Sequence, residues 1–198
     1  LLVDPKDDLD SWLELVSICK KEGMLFLCEN ILKRLGATEI LKRVDNGAGE
    51  INFSSSHPKV TFAACKYWWA SGKTAEALDA LTDFIKVIDE ADDDSEYYAG
   101  SSSSLSVDCL LRRADWIRYS YQGRLSSDLR QDVLDTVDRA RTLAPNQYRV
   151  WHTWAVTNYD QLIVTSSTNE LIDCSQTVLP PGLNRLGSQG DTTTYAIE

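Results

Sequence analysis

The chain has 198 residues, of which 43% are hydrophobic and 25% are charged, which is ordinary for a globular protein. Its formal net charge is −10, with acids concentrated in runs such as residues 89–94. This balance argues against nonspecific nucleic-acid binding, which requires a basic surface. No apolar run is long enough to cross a bilayer, so we expect neither a nucleic-acid partner nor a membrane span.

The cysteines indicate reduced thiols. There are five, an odd number, and no two of them have CxxC or another zinc-ligand spacing: Cys19, Cys28, Cys65, Cys109 and Cys174. We therefore expect a cytoplasmic (intracellular) location and no metal site. The chain begins without an initiator methionine or a signal peptide and stops in apolar sequence, which suggests a segment of a larger protein.

Apolar residues spaced three and four apart predict about seven helices. In chain order they cover residues 9–21, 24–35, 58–70, 74–90 and 105–121, then a helix capped by Ser126 or Ser127, and a last one from 148 to about 164. Pro145 separates the last two. Residues 37–44 either extend the second helix or form a short one of their own.

The last predicted helix contains the most distinctive stretch. Its packing face contains Trp151, Trp154 and Ala155. Its polar stripe contains Arg149, Thr153, Thr157 and Asp160. Tryptophans at this spacing either form interhelical core or line a peptide-binding groove.

Turns at Gly23, Gly72 and Gly123 lie 49 and 51 residues apart, and each joins two helices, the first of which carries tryptophan. This repetition predicts an all-α solenoid of antiparallel helix hairpins, similar to tetratricopeptide repeats. We expect helical repeats over residues 1–173, with mobile loops near 45–56 and 91–104. Residues 174–198 are predicted to be a flexible linker leading into the next helix of a larger chain.

No sequence motif indicates catalysis, because a Walker A loop, GxGxxG, HExxH and a nucleophile elbow are all missing. His57 precedes a helix-opening proline and His152 lies between tryptophans, so both are interpreted as packing or capping residues. A pair formed by Cys109 and His152 remains open at this point. We expect no catalytic residue in this segment.

Four segments resemble the FAT region of target of rapamycin (TOR) kinases. Residues 149–159 are similar to its Lys-Ala-Trp-His-x-Trp-Ala-x-x-Asn-[Phe/Tyr] signature. Residues 57–69, residues 12–23 and the Cys109-to-Trp116 spacing resemble three further parts of that region, in the same order over residues 9–165.

This resemblance implies a non-catalytic helical scaffold that clamps the kinase domain of a serine/threonine protein kinase. ATP would bind only in the kinase domain of the parent chain. The implied partners are that domain, neighbouring helical repeats of the same chain and the protein subunits of a kinase complex. Two alternatives are a free-standing tetratricopeptide-like adaptor for a peptide or protein partner, and a FAT segment of a related large kinase or pseudokinase.

The resemblance also implies a ligand, inositol hexakisphosphate, since FAT regions of TOR kinases contain a basic pocket for it. The matching basic positions are Lys21, Arg112 and Arg149, with Lys66 as a further one. Glu14, Ala70 and Asp108 stand where relatives can have basic residues. Guanidinium groups suit this ligand because they match phosphate oxygens in geometry and charge.

Overall fold

The computed structural model describes residues 8–46, 53, 56–91, 102–121 and 126–168. Within these ranges all regular structure is helical, which confirms the all-α prediction. The helices are α1 (Leu9–Lys21), α2 (Leu25–Arg34), α3 (Thr38–Asn46), α4 (Pro58–Ala70), α5 (Thr74–Ala91), α6 (Ser102–Tyr121), α7 (Ser127–Leu143) and α8 (Tyr148–Thr168). None of the helices in the described ranges has the length and apolar character to span a bilayer.

Residues up to Gln161 form one compact unit. In it, α1 packs with α2, α4 with α5, and α6 with α7, as three successive hairpins. The first hairpin contacts the second through α1, α2 and α4, and the second contacts the third through α5 and α6. The predicted solenoid of helix hairpins is therefore confirmed. A second unit, Leu162–Glu198, is described only over 162–168, the end of α8.

The turns form as the glycine spacing predicts. Gly23 and Gly72 have φ of 73° and 87°, a left-handed conformation that a residue with a side chain adopts only at a cost. After Gly23, the amide of Met24 donates to the carbonyl of Cys19 at 2.8 Å, and the corresponding bond after Gly72 is 3.0 Å. Both turns are thus Schellman caps, which satisfy carbonyls at the helix ends. Gly123 lies outside the described residues.

Several boundaries differ from the predicted ones. Residues 38–46 form a helix of their own, α3, which packs on α2 and α4, so the described ranges hold eight helices rather than seven. Helix α6 begins at Ser102, three residues before its predicted start. Residues 47–52 and 92–101, which fall in the two predicted loops, and the predicted linker 174–198 lie outside the described residues.

The chain just before α4 is packed. The Phe53 ring lies 5.5 Å from that of Phe84, centroid to centroid, and both side chains are buried. His57 caps α4, because its Nδ1 accepts a hydrogen bond from the amide of Lys59 at 3.2 Å. The capping interpretation of His57 is therefore confirmed.

One apolar core runs through the hairpins. Its largest fully buried side chains include Trp68, Phe84, Leu32, Ile40 and Leu81. The thiols of the first four cysteines are buried in it as small apolar groups: Cys19, Cys28, Cys65 and Cys109.

A polar contact joins three helices beside this core. The Arg113 side chain, on α6, is 16% exposed and forms a bidentate ion pair with Asp132 of α7, with Nη2 to Oδ2 at 2.7 Å. It also donates to the hydroxyls of Thr82 on α5, at 3.1 Å, and Thr136 on α7, at 2.6 Å. These bonds satisfy a largely buried guanidinium and fix how α5, α6 and α7 are aligned.

The inward face of helix α8 differs from the predicted one at two positions. Thr157, assigned to the polar stripe, is only 4% exposed, whereas Ala155, assigned to the packing face, is exposed. Thr157 can be buried because its hydroxyl donates to the carbonyl of Thr153 at 2.8 Å, which leaves its methyl group for packing. The prediction for these two residues was wrong because it counted threonine as solvent-facing.

The two tryptophans of α8 have different surroundings. Trp154 packs on a second apolar cluster, formed by Ala114, Ile117, Val133 and Val137. Trp151 donates its indole N–H to the carbonyl of Pro145 at 2.6 Å, and the Arg141 guanidinium lies 5.6 Å from its ring centroid. Trp154 is therefore an interhelical core residue, and Trp151 fixes the turn before α8.

Replacing Phe84 by alanine is expected to lower the free energy of unfolding by about 3–5 kcal/mol, because the change opens a cavity at a fully buried aromatic ring. Phe26→Ala is the matched control, since that ring is 79% exposed; a change within about 0.5 kcal/mol is expected. Urea denaturation monitored by circular dichroism measures both. Similar losses for the two variants would contradict the described core.

Candidate anion-binding site

A cavity of about 420 Å³ opens between α1, α4 and α6. Its lining includes the apolar side chains of Leu13, Phe62 and Leu105. It also includes three lysines, Lys20, Lys59 and Lys66, and one carboxylate, that of Asp108. Three positive groups thus lie on one concave surface of a chain whose net charge is −10.

Helix periodicity explains how these side chains meet. Lys59, Phe62 and Lys66 recur at spacings of three and four on α4, so they share one face. The Lys66 ammonium lies 4.1 Å from the centroid of the Phe62 ring, a cation–π contact within the helix. Lys20 comes from the last turn of α1, and Asp108 from the facing side of α6.

Lys66 is the most perturbed cation of the site. Its pKa is lowered to about 8, mainly by burial and then by the positive charges of Lys20 and Arg112, while Cys109 and Asp108 act in the opposite direction. Burial and the charge of Arg112 also lower the pKa of Lys20. Lys20, Lys66 and Arg112 therefore lie close enough to repel one another.

The basic side chains differ in whether a carboxylate neutralises them. Lys59 pairs with Asp10 at 2.7 Å, and Arg149 of α8 pairs with Asp108 at 2.9 Å. None of the ion pairs formed within the described ranges involves the other three cations: Lys20, Lys66 and Arg112. A cluster of cations without paired carboxylates can bind an anion with several negative charges.

The structure brings some of the residues predicted from sequence together. Lys66 lines the larger cavity, and the charge of Arg112, which is not among the lining residues, acts on Lys66. Arg149 lines the smaller cavity described next and contacts the larger one through Asp108. Lys21 is exposed and does not line the cavity, which contains the preceding residue instead. Sequence analysis missed Lys20, although its spacing of four from Val16 places it on the packing face of α1.

A smaller cavity of about 300 Å³ lies between α6 and α8 and contains His152. Its two arginines are already paired, Arg118 with Asp160 at 2.5 Å and Arg149 with Asp108. His152 is exposed beside Tyr148, with ring centroids 5.9 Å apart.

The thiol of Cys109 is fully buried, and burial raises its pKa well above the ordinary value. The thiol therefore stays protonated at neutral pH. Because only the thiolate is an effective nucleophile, this environment does not favour the Cys109–His152 pair that the sequence left open.

Comparison with known proteins agrees with this architecture. The profile of the FAT domain matches residues 1–193. The chain belongs to the FAT domain family. The resemblance stated from the four sequence segments is confirmed, and the helical hairpins described above are those of a FAT domain.

This FAT domain is similar to parts of several TOR kinases. It is 29% identical over 203 residues to the serine/threonine-protein kinase mTor of Drosophila melanogaster, covering 100% of the chain and 8% of that protein. It is 24% identical over 186 residues to serine/threonine-protein kinase TOR2 of Saccharomyces cerevisiae, covering 86% of the chain and 7% of the relative.

The corresponding identity to the serine/threonine-protein kinase TOR of Arabidopsis thaliana is 27% over 167 residues, or 80% of the chain and 6% of the relative. The FAT chain thus spans less than a tenth of the length of the kinases it matches.

Replacing Lys66 by methionine is expected to stabilise the FAT domain at pH 7 by about 1 kcal/mol, because it removes a charge that burial disfavours. The folded-state pKa, about 8, is below the ordinary value of 10.5, so between these pH values the unfolded chain binds more protons. The free energy of unfolding of the wild type should therefore increase as the pH rises through this range. The difference in free energy of unfolding between the variant and the wild type should shrink accordingly.

Urea denaturation at pH 7 and pH 10 measures this difference, with Lys86→Met, at an exposed lysine of α5, as the control. An advantage of Lys66→Met that is equal at the two pH values would contradict the effect of burial on Lys66.

Proposed function

We propose that this FAT domain is a non-catalytic scaffold segment of a larger TOR-type serine/threonine protein kinase. In this role it clamps the kinase domain and contributes to assembly of the kinase complex inside the cell. The observation that carries the proposal is the FAT match over residues 1–193, together with similarity to TOR kinases of animals, fungi and plants. ATP binding and phosphate transfer belong to the kinase domain of the parent chain.

The packing supports a scaffold role. In a stack of hairpins each hairpin contacts only its neighbours. A force applied to one hairpin is therefore transmitted to the others through each interface in turn. Arg113 strengthens one such interface, because it bonds to α5 and α7 at once. A stack braced in this way can hold a neighbouring domain in a fixed position.

In the parent kinase, Phe84→Ala is expected to reduce kinase activity several-fold, because loss of core packing loosens the clamp. Lys86→Ala, two residues away but exposed, should leave activity within about twofold. The measurement is phosphate transfer to a protein substrate by the purified full-length kinase.

Full activity of Phe84→Ala, with hydrogen exchange showing an opened FAT core, would contradict the clamp. A reading frame that contains this chain but no kinase domain would instead favour the free-standing adaptor.

We further propose that the cavity between α1, α4 and α6 binds inositol hexakisphosphate. Lys20 and Lys66 line this cavity and Arg112 acts on Lys66 from nearby, all three without paired carboxylates, while Arg149 lines the neighbouring cavity and contacts this one through Asp108. Lys21 is exposed next to Lys20, which limits it to long-range attraction. The ligand would offset the mutual repulsion of the three cations and would favour the charged form of Lys66.

Calorimetry of the full chain with inositol hexakisphosphate tests this site. The double variant Arg112→Glu/Arg149→Glu is expected to bind at least about tenfold more weakly, because two cations near the ligand become anions. Lys33→Glu/Lys86→Glu is the matched control, as it changes the net charge equally at exposed lysines of α2 and α5.

The affinity of the wild type for inositol hexakisphosphate should also fall as the pH rises from 7 to 9, because Lys66 loses its proton. Equal heats for the two double variants and wild type, or no heat for wild type, would rule out the ligand.

A further inference from the structure

The end of helix α7 carries an exposed hydroxyl group among basic side chains. Thr142 lies in the last turn of the helix, one residue before its end at Leu143, and it is exposed. Arg139 and Arg141 lie three residues and one residue before it. Leu143 is 41% exposed. Thr142 therefore lies in a basic and accessible stretch, and it lines neither of the two cavities described above.

We propose that Thr142 is a phosphorylation site for a basophilic protein kinase, which is a kinase that recognises arginine or lysine beside the acceptor hydroxyl. In this reaction the Oγ1 atom of Thr142 attacks the γ-phosphorus of ATP. A bond forms between Oγ1 and phosphorus, and the bond from phosphorus to the β–γ bridging oxygen breaks, so that ADP leaves with the electron pair. The hydroxyl proton passes to a base of the kinase. The phosphate ester carries a charge of about −1.5 to −2 at pH 7.

The flanking residues favour Thr142 over the other acceptors. Among the serines and threonines of the described ranges, only Thr142 and Ser127 have an arginine three residues before them. Ser127 donates its hydroxyl to Asp128, the next residue, at 3.4 Å. That carboxylate would repel the acidic groups with which a basophilic kinase binds its substrate. By contrast, no acidic residue follows Thr142 before Asp160.

The last turn of α7 can open to enter a kinase active site. Terminal turns of helices fray more easily than helix interiors. Residues 142, 143 and 145–149 are all exposed, so opening this turn uncovers little apolar surface. The Thr142 hydroxyl donates to the carbonyl of Asp138 at 3.1 Å, a bond within the helix that fraying breaks. The acceptor hydroxyl is thus released by local opening, without unfolding of the core.

Phosphate at this position would compete for two arginines that hold α7 to its neighbours. Arg139 pairs with Asp89 of α5. Arg141 pairs with Asp138 at 2.6 Å, and its guanidinium lies 5.6 Å from the ring centroid of Trp151 on α8. A phosphate ester attracts both arginines more strongly than a carboxylate does, because it carries more charge. It also repels the carbonyls at the negative end of the helix. Phosphorylation is therefore expected to loosen the turn between α7 and α8.

The first test is phosphorylation of the full chain with ATP and a purified basophilic kinase, the catalytic subunit of cyclic-AMP-dependent protein kinase. Mass spectrometry locates the phosphate, which is expected on Thr142. Arg139→Gln should slow its incorporation at least about tenfold, because it removes a charge that the kinase recognises. Arg130→Gln is the matched control, at an arginine near the start of the same helix, and should change the rate by less than about twofold.

A synthetic peptide of residues 135–147 is treated in parallel. Phosphate on the peptide but not on the folded chain would overturn the proposal, because the end of α7 would then be closed to the kinase. Absence of phosphate from both, or phosphate on Ser127 alone, would overturn it as well.

The second test is hydrogen exchange of the backbone amides of residues 139–152. We expect exchange to be about fivefold faster in the phosphorylated chain, as follows from a negative charge at the C-terminal end of a helix. Thr142→Glu should increase the rate in the same direction but less. Ser127→Glu is the matched control, since it places the same charge at the positive end of α7, and it should not accelerate exchange. Rates in the phosphorylated chain within about twofold of the unmodified chain would contradict the loosening of this turn.

Discussion

The structure depends on a single constraint, which is that a hairpin of two amphipathic helices cannot bury both of its apolar faces by itself. Each hairpin is therefore covered by the next, and the core continues from Val16 in α1 to Ala140 in α7. Stacking also sets the first helices of successive hairpins, α1 and α4, against each other. Because these helices meet, side chains far apart in sequence line one cavity.

The same constraint produces the electrostatics of that cavity. Lys20, Lys66 and Arg112 belong to three different helices and are held close together by apolar packing beneath them. Their mutual repulsion is a cost that the core offsets, and an anionic ligand would remove it. If an anion bound there, it would therefore also stabilise the folded state.

Residue patterns predicted the fold better than they predicted the site. Gly23 and Gly72 mark their turns unambiguously, because a left-handed residue after a helix is a local requirement. Lys20 and Lys21 differ only by about 100° of helix rotation, so choosing between them needs the packing direction of α1. The pair of Asp108 and Arg149 joins residues 41 apart in sequence, and no local pattern encodes such a contact.

Helix α8 is attached to the third hairpin by polar as well as apolar contacts. Beside the apolar contacts of Val150 and Trp154, it has two ion pairs to α6, through Arg149 and Arg118, and their side chains are partly exposed. Exposed ion pairs weaken as ionic strength rises, whereas apolar contacts do not. Rising salt concentration therefore weakens these two contacts of α8, together with the exposed pairs that link earlier layers, Lys59 with Asp10 and Arg139 with Asp89, while the apolar interfaces between the hairpins stay in place.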